Sequence, residues 1–91
     1  MAESGSQFKA KGDQAFVDGK LLQAVGFYSQ AIDLDPQNAM LLANRGQLCL
    51  MLTDFTNAVK DTNAAIAIDP TLAIAYYRKA SALSKATPTT E

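Results

Sequence analysis

The stretch Ala31-Ile32-Asp33-Leu34-Asp35-Pro36 returns 34 positions later as Ala65-Ile66-Ala67-Ile68-Asp69-Pro70. Each copy closes on a proline, which lacks the N–H that would continue a helix and clashes with the turn before it. Read outward at the same offset, Gly12 falls on Gly46, Ala24 on Ala58 and Val25 on Val59. Seven of the 34 positions from Gly5 to Asn38 are identical to their counterparts, where chance would give about two or three for an ordinary composition. The matches fall on small residues and on the terminating proline, where backbone approach decides what fits. A period of this length marks stacked supersecondary units.

Apolar residues within each unit follow helical spacing. Phe8, Gly12, Ala15 and Phe16 share one face of a first helix, and Asp18-Gly19-Lys20 forms a turn in which glycine can take positive φ. Leu21, Ala24, Val25, Tyr28, Ala31 and Ile32 make a second amphipathic helix. The second unit repeats the plan with Leu42, Gly46, Cys49 and Leu50, a turn near Thr53-Asp54, then Phe55, Ala58, Val59, Thr62, Ala65 and Ile66. A third copy begins at Ala73 and runs out at Thr87-Pro88. Alanine, the best helix former, occurs 16 times, and β-branched residues never alternate usefully with polar ones. The sequence therefore predicts an all-α chain of five helices near 4–18, 21–34, 38–52, 55–68 and 72–86. They are expected to form antiparallel pairs, two and a half repeats in all. One domain is expected over 1–86, with repeats at 5–38 and 39–72 and a capping half repeat at 73–86. Residues 87–91 are expected to be a disordered tail or the start of a linker. Gly12 and Gly46 should let the first helix of a unit approach the second at Ala24 or Ala58, while Ala31 and Ala65 meet the next unit.

Composition narrows the chemistry. The chain has 91 residues, 48% hydrophobic and 19% charged, with a net charge of −1. That apolar share suits a small globular domain, and near-neutral charge gives no reason to expect nucleic acid or an acidic membrane as partner. There is no histidine and a single cysteine, so neither a disulfide framework nor a zinc constellation can be assembled. No metal or cofactor is expected. No apolar run approaches a membrane span, and Met1-Ala2-Glu3-Ser4 lacks the features of a signal peptide. A cytoplasmic location, with the nucleus as an alternative, is the expectation.

A 34-residue helix–turn–helix unit with these residues resembles the tetratricopeptide repeat (TPR) family. Its pattern is carried by Phe8, Gly12, Ala15, Ala24, Tyr28, Ala31 and Pro36, then by Leu42, Gly46, Cys49, Ala58, Thr62, Ala65 and Pro70. Thr62 stands where an aromatic is usual, and Ala80 replaces the glycine of the third unit. The resemblance implies a right-handed superhelical stack of these pairs, a binding scaffold whose concave face is lined by the first helix of each unit. On the first helix that face would carry Lys9, Asp13 and Phe16. On the third it would carry Met40, Ala43, Asn44, Gln47 and Leu50, and on the fifth Ile74, Tyr77 and Arg78.

Lys9, Asn44 and Arg78 resemble three members of the five-part carboxylate clamp with which co-chaperones hold the acidic C-terminal peptide of heat-shock proteins. At Asp13 that family has asparagine, and at Ile74 it has lysine, so both departures remove favourable groups. Asp69-Pro70-Thr71-Leu72-Ala73, with Ala75-Tyr76-Tyr77-Arg78-Lys79 and Ala15-Phe16-Val17-Asp18, is also similar to the N-terminal repeat domain of plant-type TPR–CS co-chaperones. That resemblance implies an adaptor or self-association domain without a full clamp, docking for instance a ubiquitin-ligase component. Both point to a non-enzymatic protein-interaction module whose partner is a protein or a C-terminal peptide.

The remaining polar residues suggest no catalysis. Cys49 reads as a small buried hydrophobe with no Lys or Arg flanking its predicted face. Tyr28 reads as core, its hydroxyl reaching solvent or a carbonyl. Asp33, Asp35, Asp61 and Asp69 read as exposed helix-end or turn residues. Tyr76 is expected to pack inward and Tyr77 to face the groove. Tyr76, Ala80 and Leu83 lie where a partner helix would pack, an apolar strip that invites self-association through helix five or marks a domain cut from a longer protein.

Overall fold

A computed structural model describes residues 4–86, and the expectation for 87–91 lies outside them. The helices are α1 (Gly5–Val17), α2 (Leu21–Leu34), α3 (Ala39–Met51), α4 (Phe55–Ile68) and α5 (Ala73–Ala86). Each lies within a residue of the predicted span at either end, and no strand occurs among the described residues. None of these helices is long and apolar enough to cross a membrane.

Local sequence explains where each helix starts and stops. Ser4 caps α1: its Oγ accepts the Gln7 N–H, and the Gln7 side chain accepts the Ser4 N–H. Asn38 and Asp54 cap α3 and α4, accepting from Leu41 N and Asn57 N. Helices α1 and α3 end alike. Gly19 donates to Phe16 O and Lys20 to Ala15 O, and one repeat later Thr53 donates to Leu50 O and Asp54 to Cys49 O. This double bond pattern needs a left-handed residue after the cap. Gly19 supplies it at φ 76, and Thr53 takes it at φ 61.

Successive helices pack antiparallel into an elongated body of 56 × 29 × 16 Å. The core is a row of three clusters along the stack. One joins Ala15, Ala24, Tyr28 and Ala31 to Leu41 and Leu48, the next groups Ala39, Leu42 and Ala43 with Ala65 and Ala75, and the last holds Cys49, Leu50, Ala58 and Ala82. Ala24, Ala31, Ala43, Ala58, Ala65, Ala75 and Ala82 are wholly buried, so helix axes meet through methyl groups. The glycines meet the expectation in part. Gly12 lies against the Tyr28 ring and Gly46 against the Thr62 methyl, one turn beyond Ala24 and Ala58. A side chain sits opposite each of these two glycines, and at Gly46 the Ala58 carbonyl also comes within 3.5 Å of where a Cβ would stand, as expected.

Tyr76 is a second departure. It is 46% exposed, and its hydroxyl donates to the Pro70 carbonyl at 2.8 Å. With Ala80 and Leu83, also exposed, it lies on the side of α5 turned away from α3 and α4.

Candidate functional site

Asp13 and Phe16 of α1, Tyr28 of α2, Asn44 and Gln47 of α3 and Arg78 of α5 surround a hollow of about 210 Å³. Four helices contribute to it, so only the stacked fold assembles it. Five of these six residues were predicted for the groove from sequence. Tyr28 was not.

Arg78 crosses from α5 to α3, where Nη1 donates to Ala43 O at 2.9 Å and to Asn44 Oδ1 at 3.3 Å. Those two bonds hold the guanidinium plane at the rim. Burial lowers its pKa from the ordinary arginine value, yet arginine stays charged at any physiological pH. Across the hollow, the Asp13 carboxylate receives Lys9 Nζ at 2.9 Å and the hydroxyl of Tyr28. Burial works against its charge, but the Tyr28 and Lys9 hydrogen bonds and the Lys9 charge hold the carboxyl below the usual carboxylate range. Tyr28 is only 4% exposed. Burial first, then the bond to Asp13 and its charge, push the phenol upward. Its hydroxyl thus meets a carboxylate, where sequence suggested solvent or a carbonyl. An alternating 3.6-residue pattern places a tyrosine ring in the core but says nothing about which polar group its tip meets.

The other predicted groove residues disperse. Tyr77, 70% exposed, borders an adjoining hollow with Gln47, Leu50, Met51, Ser81 and Lys85. Met40 lies beside Asn38, Ile68, Asp69 and Leu72 in a separate depression. Ile74 is partly exposed on α5, one turn ahead of Arg78. Ala43 is wholly buried and presents only its carbonyl, to Arg78.

A polar cluster that sequence did not anticipate holds α2, α3 and α4 together. Arg45 Nε and Nη2 each donate to the Asp61 carboxylate at 2.8 Å, and Nη1 donates to Ser29 Oγ at 3.0 Å. Asp61 is 7% exposed, in place of the surface residue expected. Cys49 lines the same recess as Arg45, so a cation does flank it. The thiol nonetheless stays protonated near neutral pH: burial, then the charges of Asp61 and Asp54, push it up to about 11 against the pull of Arg45. Repeat register held a usable signal. One unit earlier, Lys11 and Phe27 occupy the same two positions, and Lys11 Nζ stands 5.9 Å from the Phe27 ring centroid.

Similarity to known proteins agrees with this geometry. The first TPR of Spaghetti (RPAP3), bound to the HSP90 peptide SRMEEVD, superposes with a TM-score of 0.90 at 31% identity, over 92% of this chain and 67% of that one. The Arabidopsis OM64 TPR domain gives 0.87 at 33% identity, over 90% and 68%. The chain belongs to the tetratricopeptide repeat family. No protein-family model matches it. A curated relative, the SGT1 homolog of Oryza sativa subsp. japonica, is 40% identical over 79 residues, which are 87% of this TPR chain and 22% of that protein. The chain spans less than a quarter of the length of the curated relatives it matches.

Proposed function

We propose that this TPR chain is a non-enzymatic adaptor module of the co-chaperone type that holds a carboxylate-bearing peptide in the hollow between α1, α3 and α5. The supporting observation is Arg78, fixed through Nη1 to α3 beside Asn44, with Nε and Nη2 making no hydrogen bond among the described residues. A guanidinium fork of this kind matches a carboxylate bidentately, and the Asn44 and Gln47 amides add donors. The peptide SRMEEVD held by a similar domain supports a heat-shock chaperone C-terminus as ligand. Such a module works in the cytoplasm or nucleus.

Titrating the chain with SRMEEVD, as free acid and as C-terminal amide, tests the reading. Affinity should fall at least tenfold on amidation and on Arg78→Ala. Equal binding of acid and amide would remove the carboxylate from recognition.

A second reading rests on α5. Tyr76 and Leu83, each 46% exposed, form an apolar strip with Ala80, fitted to a helix of another copy or of an adaptor protein. Sedimentation equilibrium tests its self-association arm: a species that stays monomeric at high concentration excludes another copy as the occupant.

A further inference from the structure

We propose that Asp13 sets the ligand specificity of this groove, limiting recognition to a peptide's terminal carboxylate and denying the groove any gain from an acidic side chain on the last residue. The inference rests on the peptide-binding reading above and deepens it.

The argument is a charge count around one hollow. Arg78 lines it, and Lys9 pairs with the lining residue Asp13. Lys9 Nζ lies 2.9 Å from Asp13 Oδ2, so its charge is already matched within α1. Arg78 is the one cation on the lining. Ile74, a turn earlier on α5, brings no charge, and Lys85 borders the adjoining hollow two turns later, about 10 Å along the helix axis. A free C-terminus brings one negative charge and two acceptor oxygens, which the guanidinium fork satisfies. A second carboxylate on the same residue finds no cation of its own and meets Asp13, a like charge on the same lining.

Asp13 is half-exposed, but swinging it aside to relieve that repulsion carries a cost. Its carboxylate accepts the hydroxyl of Tyr28, whose ring is packed in the core, and turning away would leave a buried hydroxyl without a partner. The same bond keeps Asp13 oriented for Lys9. Replacing Asp13 by asparagine keeps an oxygen for Tyr28 and releases the Lys9 ammonium into the groove, so that variant should gain the selectivity the native chain lacks.

Two peptides suffice for the test: SRMEEVD and SRMEEVN, both with free C-termini, measured by calorimetry against the native chain and Asp13→Asn. Circular dichroism checks that the variant keeps its helical content. The native chain should bind SRMEEVD no more tightly than SRMEEVN, and Asp13→Asn should prefer SRMEEVD by at least about fivefold, a difference on the order of 1 kcal/mol. A native preference of fivefold or more for SRMEEVD overturns the proposal without needing the variant. An unchanged ratio in Asp13→Asn overturns it as well. Absence of binding by either peptide to either protein would instead remove the peptide-binding reading, and this inference with it.

Discussion

Gly12 is pressed against the ring of Tyr28: a Cβ built at residue 12 would stand 3.1 Å from both Cδ1 and Cε1. The ring has little room to yield, being buried on its faces and tied to Asp13 at its tip. Gly12→Ala should gain up to about 1 kcal/mol of helix propensity and lose about 1–3 kcal/mol to overpacking. Net destabilisation of about 1 kcal/mol is expected in urea unfolding. Combining it with Tyr28→Leu should restore the propensity gain, because the obstructing ring is gone.

Gly19 and Thr53 occupy the same place in successive units, both with positive φ. For a β-branched residue that conformation is strained by about 1–3 kcal/mol. Part of the cost is offset by the Thr53 hydroxyl, which donates to the Leu52 carbonyl at 2.6 Å. Thr53→Gly should therefore stabilise the chain by about 1 kcal/mol and raise its melting temperature, whereas Gly19→Ala should lower it by a similar amount. A Thr53→Gly variant that melts lower would mean the hydroxyl contributes more than the strain costs.

The Arg45–Asp61 pair is bidentate and largely withdrawn from water, with side-chain exposures of 26% and 9%. Breaking a fully buried pair costs about 3–5 kcal/mol, and partial exposure of the arginine reduces that to about 2–3 kcal/mol for Arg45→Ala. Asp61→Ala should cost less, since the guanidinium left behind can reach solvent. A double-mutant cycle measures the coupling. Substituting both residues together by Met and Leu should recover most of the loss.

Acid sensitivity follows from Asp13. Its carboxyl is held below the ordinary range in the folded chain, so at acid pH the unfolded chain binds more protons than the folded one. The contribution to stability is fully present above the unfolded value of about 3.9 and is lost as pH falls through the lower folded value. Urea midpoints measured from pH 5 downward should decline more steeply for the native chain than for Asp13→Asn. Parallel curves would show that Asp13 gains nothing from Lys9 and Tyr28.

Much of this is legible in the sequence. The 34-residue period, the Asp-Pro closures and the small residues at matched positions dictate five helices and their pairing. Those features act locally or at contacts repeated from unit to unit. The groove was legible in part: Asp13, Phe16, Asn44, Gln47 and Arg78 do surround one hollow, while Met40 and Tyr77 border others. Arg45 and Asp61 escaped notice because their meaning lies in a pairing between helices, and a mid-helix Asp looks like any solvated charge.

Helical periodicity and punctuation, written along the chain, thus determined the elements and their order by themselves. Only the tertiary structure decided which charges cancel. Lys9 and Asp13 share a helix and meet by periodicity, but Tyr28 reaches Asp13 from α2, and Arg78 reaches Asn44 across 34 positions of sequence. The angles and distances between packed helices set those meetings, and they depend on how every small side chain in the stack nests against its neighbour.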